Sequence, residues 1–164
     1  MFENGIYRLS IVIRFVTYPF LHGDFTQGLF GAAMILALGK FVSEAIGMIP
    51  VLAISFIASI FGALVFVLFM GGAGWLYGTF PAVYGLIGGY TYVMWVSAAV
   101  RGEQQLMAFR LIGFLMGVQL FFAMVFGSDG SWIADFAGFF AGLVITPLLA
   151  PGGMRMLLER MRRR

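Results

Sequence analysis

Cysteine is absent from the 164 residues, which excludes disulfides, zinc–thiolate centres and thiol catalysis. Histidine occurs once, at His22, so no metal or haem can be held by several histidines. The sequence implies neither a metal nor a cofactor. Charge is also scarce. Asp, Glu, Lys and Arg make up 10% of the chain, against about a quarter in soluble domains. The net charge of +3 gathers mostly near the C-terminus; it reads as a topology signal and gives no indication of a nucleic-acid partner. What fills the chain is apolar, at 62% hydrophobic residues and a mean hydropathy of +1.00. This is the composition of an integral membrane protein whose first partner is the lipid bilayer. At roughly 20 apolar residues per span, the length predicts one domain, 1–164: an all-α, polytopic membrane helix bundle of about five transmembrane helices.

Breakers and charges divide the chain. Residues 6–21 are apolar but carry Arg8, Arg14 and Pro19. A mid-span arginine is costly, so this stretch is expected to lie in the interface with its arginines reaching the head groups. The same arginines, with no small-residue cleavage site after them, argue against a cleavable signal peptide. Spans are predicted at 27–46, 48–70, 79–99, 106–126 and 132–149. Lys40 and Glu44, one turn apart, are expected to pair at the end of the first. Pro50 fits the first turn of the second. Gly71 to Gly78 is a glycine-rich connection. Thr79 is a candidate N-cap for the third span, with Pro81 in its first turn. Gln119 lies near the middle of the fourth span and needs a partner. Residues 152–164 form a basic tail with five arginines against one glutamate. Positive charge stays in the cytoplasm, which places the tail inside. Counting back, the starts of the third and fifth spans share the outer side.

Two stretches carry small residues four apart. One is Gly78 to Tyr90, with Gly85, Gly88 and Gly89; the other is Ala134 to Gly142, with Ala134, Gly138 and Gly142. Such faces let helix backbones approach closely in a membrane. The third and fifth spans are therefore expected to touch, with any functional centre between them.

These residues carry a resemblance. Arg14-Phe15-Val16-Thr17-Tyr18-Pro19-Phe20-Leu21-His22-Gly23, continuing through Gln27 and Gly31 to Gly39, resembles the segment leading into the second helix of rhomboid intramembrane serine proteases. Gly78 to Gly88 resembles the rhomboid fourth helix, and Asp135 to Gly142 the sixth. The resemblance covers most of the chain. Rhomboids have a helix before the segment matching Arg14, and this chain starts thirteen residues before it. That helix is expected to be missing here or to belong to a longer gene product.

The resemblance implies a site from which this sequence departs. The family's nucleophilic serine falls on Phe80 and the following glycine on Pro81. The catalytic histidine falls on Asp135. The second-helix histidine and asparagine that assist the oxyanion fall on Gln27 and Gly31. His22, Gly78 and Tyr84 keep the family pattern. Hydrolysis of an amide needs an activated nucleophile with a base in reach, and Phe80 supplies none. The resemblance thus implies a non-catalytic relative. Its groove around Gly31, Gly78, Phe80, Tyr84, Asp135 and His22 would receive transmembrane helices of client proteins. Two alternatives stay open: an active protease with an unrecognised nucleophile (Thr79 with Asp135, or Ser131 with His22), and a structural subunit of a membrane complex. Asp135 is expected either to hydrogen-bond Tyr84 or to be hydrated one turn inside the interface. Phe80 is expected to plug the old active-site cavity.

Overall fold

The computed structural model describes residues 13–71, 76–127 and 130–150. Among the described residues the chain is helical, with no strand. A helical run at 13–17 leads into a 3-10 turn, Tyr18–Phe20. Five long helices follow: α1 (Phe25–Ile46), α2 (Met48–Met70), α3 (Phe80–Arg101), α4 (Arg110–Phe126) and α5 (Ser131–Leu149). Four of them, α1, α2, α3 and α5, are long and apolar enough to cross a bilayer. α4 is shorter, at 17 residues, because the chain just before it, Gln105–Phe109, coils as a 3-10 turn. Seventeen residues is the short end of what spans a hydrocarbon core about 30 Å thick.

Local chemistry sets the helix starts. Asp24 caps α1: its Oδ1 accepts the Gln27 N–H at 2.7 Å. Pro50 lies in the first turn of α2 and Pro81 in that of α3. Thr79 takes the N-cap position of α3, but its hydroxyl makes no capping bond. Pro81 is the second helical residue and lacks one of the two N–H groups that a capping oxygen takes. The Thr79 hydroxyl is instead buried against Gly31. Nor do Lys40 and Glu44 form an ion pair among the described residues. Both are exposed, where such a pair gains little over hydration. An ion pair does form between Arg101 and Glu103, at 3.1 Å.

α3 is the centre of the bundle. Every residue from Pro81 to Gly89 is buried. Its most extensive partner is α5, and α2 covers the seam between them. Small residues allow this approach. A methyl on Gly142 would run into the Gly85 backbone, one on Gly88 into the Phe139 carbonyl, and one on Gly138 into Pro81. Gly62 of α2 faces the Ala134 carbonyl, 2.6 Å from where its Cβ would be. Gly89 lies beside the Thr146 hydroxyl of α5. The outer faces carry Leu52, Phe56, Phe114 and Val144, all exposed, as a hydrocarbon solvent favours.

α4 is held differently. The 3-10 turn before it packs well on α3, with the Phe109 ring edge-on to Trp95 at 5.5 Å. Beyond that turn α4 leans on the bundle through Ile112 and Met116, which are buried. Gly113 and Gly117 have open space where a Cβ would be.

The segment before α1 is tied in by Tyr18. It is buried, and its hydroxyl donates to the Ser59 carbonyl of α2 at 2.7 Å. Burial pushes its phenol pKa up. Its neighbours Ile13, Val16, Phe20 and Leu21 are exposed apolar residues. Residues 6–12 of the expected interfacial segment and the basic tail 152–164 lie outside the described residues.

Candidate functional site

A groove of about 340 Å³ opens where α3 and α5 begin. α1 forms one wall with Gln27 and Phe30, and α4 the other with Gln119. Phe80 and Tyr84 of α3, with Ser131 and Asp135 of α5, line it between them. A smaller cavity of about 70 Å³ adjoins it, sharing Gln27, Phe80, Ser131 and Asp135 and bounded also by Leu76, Tyr77 and Pro81.

A hydrogen-bonded chain crosses the groove. The Tyr84 hydroxyl donates to Gln119 Oε1 at 2.9 Å, and Gln119 Nε2 donates to Asp135 Oδ2 at 2.7 Å. Three helices are joined through one amide. Asp135 is only 4% exposed, so its carboxyl group depends on such donors. The described bonds link it to Tyr84 through Gln119. A lone amide in mid-span signals that a partner exists; which partner depends on how α4 is rotated against α3, and no local pattern encodes that.

The other expected site residues take distinct places. Gln27 turns its side chain back, where Oε1 accepts the Gly23 N–H at 2.9 Å and Nε2 lies beside Gly78. Gly78 is buried with φ of 92°, a conformation suited to glycine, and its N–H meets the Tyr18 carbonyl at 3.4 Å. Gly31 is covered by the Thr79 hydroxyl. His22 is exposed, with its ring over Gly28. Phe80, Tyr84, Asp135 and Gln27 thus border the groove, whereas His22, Gly78, Gly31 and Thr79 stand outside its lining. Ser131 is brought to Asp135 and Gln27, and His22 is not part of that group. Phe80 does not plug the space. Its ring tilts 36° against Phe30, centroids 6.3 Å apart, and both cavities remain open beside it.

No curated protein matches the chain, and no solved structure does. The family model described as the Rhomboid domain matches residues 10–152. That match takes in α1 to α5 and every residue of the groove, on an apolar helical bundle built to sit in a bilayer; the chain is an integral membrane protein that belongs to the rhomboid family.

Proposed function

We propose that this chain is a rhomboid-like protein without proteolytic activity, whose groove receives a transmembrane helix of a client protein. One observation carries the reading. Phe80, at the position to which the resemblance assigns the nucleophilic serine, is a hydrocarbon ring on the wall of an open groove. Loss of the nucleophile removes acyl transfer while leaving a recess with apolar walls and a few polar groups, the make-up of a binding site.

A second reading has an observation of its own. Ser131 and Asp135 lie four apart on one face of α5 and border the same cavity as the Gln27 amide. A nucleophile, a base and an oxyanion donor are the parts of a hydrolytic site. Against it, Oδ2 of Asp135 already accepts a hydrogen bond from the Gln119 amide, so that oxygen is engaged across the groove and not turned to Ser131. A serine-reactive fluorophosphonate probe separates the readings. The purified native protein is expected to remain unlabelled. Labelling that disappears in Ser131→Ala would overturn the non-catalytic reading and name the nucleophile. A role as a structural subunit is distinguished by co-purification of one stoichiometric partner.

The charge pattern supports a cytoplasmic C-terminus, and the resemblance to rhomboids suggests a bacterial inner membrane. The groove would then face the outer half of the bilayer, where it meets a client helix from the side.

A further inference from the structure

The groove already holds one side chain in the manner of a ligand. Gln119 accepts from the Tyr84 phenol and donates to the Asp135 carboxyl, at 2.9 and 2.7 Å. A primary amide suits this pair because it carries an acceptor oxygen and donor N–H groups on one planar unit. A hydrocarbon side chain offers neither. Gln119 rides on α4, which is the most lightly packed of the long helices: its main support is α3 and the turn before it. Phe114, Leu120, Met124 and Val125 on α4 are all exposed.

A volume of 340 Å³ holds less than one turn of a helix about 10 Å across. An entering helix therefore lies against the opening between α1 and α4 and sends side chains inward. Those side chains meet Gln119 on the α4 wall. Displacing it breaks its bonds to a phenol and a carboxyl group, and buried hydrogen bonds lost without replacement are costly. The entrant that restores both bonds is one with an amide of its own at that depth.

We infer that the groove selects transmembrane helices carrying asparagine or glutamine at the level of Gln119, and that Gln119 is the internal amide such a helix replaces. This rests on the groove being a helix-binding site. Gln119 is thus a specificity-determining residue, and it also lowers the affinity for every entrant that must displace it, because only the fraction of molecules with the amide withdrawn is competent to bind.

The test uses the full chain in lipid nanodiscs and two synthetic transmembrane helices, one of leucine throughout and one with a single glutamine at matched depth. Binding is read by fluorescence energy transfer. The glutamine helix is expected to bind about sevenfold tighter, the worth of two average interhelical hydrogen bonds. Gln119→Leu should raise affinity for the glutamine helix by a similar factor, since no internal bond has to break. Tyr84→Phe, a mild change that keeps the ring, should reduce the preference to about threefold by removing one of the two bonds. Equal affinity for the two helices in the native protein overturns the inference and leaves the docking reading standing. Binding of neither helix overturns the docking reading, and this inference with it.

Discussion

Gly142→Ala is the sharpest probe of what holds this molecule together. The added methyl would fall on the backbone of Gly85 in α3, 2.6 Å from its carbonyl carbon and 2.8 Å from its Cα. Carbon atoms rest at about 3.5–4.0 Å, so α3 and α5 must part by roughly 1 Å. Neither neighbour is a flexible side chain, so the strain spreads along the seam, through Gly138 against Pro81 and Gly88 against Phe139. Overpacking typically costs about 1–3 kcal/mol, and a backbone neighbour puts this case near 3. At about 2–4 °C per kcal/mol for a chain of this size, Tm should fall by about 6–12 °C. Gly113→Ala on α4 is the control. No atom lies within 4 Å of its added methyl, and alanine is favoured over glycine in a helix by about 1 kcal/mol, so its Tm should hold or rise. Thermal unfolding in mild detergent, followed by tryptophan fluorescence, measures both. If Gly142→Ala melts with the native protein, or Gly113→Ala falls as far, the close-packed seam is not what stabilises the fold.

Two further changes test other joints. Asp24→Ala removes the carboxylate that caps α1 and should cost about 1 kcal/mol, with Asp24→Ser restoring most of it; the same melting assay reads both. Tyr18→Phe removes the buried bond to the Ser59 carbonyl and should cost about 1 kcal/mol. Because burial raises the Tyr18 phenol above its ordinary value near 10, the folded chain keeps a proton that the unfolded chain releases. Its contribution is whole below about pH 10 and is lost as the pH climbs beyond. Native stability should therefore fall above pH 10, less steeply in Tyr18→Phe; a fall of equal slope in the variant would contradict the assignment.

The long helices were legible because their limits are chemical. Asp24, Pro50, Pro81 and the Gly127 region break apolar runs at spacings a bilayer demands, and α2 spans Met48–Met70 as the apolar run predicts. The contact of α3 with α5 was legible because glycines four apart have one common use in a membrane. The groove was legible only in part. Phe80, Tyr84 and Asp135 follow from position in the chain, but Gln119 comes to them from another helix, and its partners depend on the rotation of α4. Thr79 shows the opposite limit. Its sequence context suits a cap, yet the proline two residues on removes a donor and tertiary packing against Gly31 takes the hydroxyl.

The covering of α3 has a consequence for how the chain is made. α3 is the least apolar of the four spanning helices and has the largest share of its surface enclosed. During synthesis it emerges from the ribosome before α5 does. In that interval its glycine face has α2 on one flank and lipid where α5 will lie. The fifth helix is therefore the step that commits the protein. Ribosome-stalled chains ending before Ser131 should insert yet remain open to proteolysis, and resistance should appear abruptly once α5 has emerged.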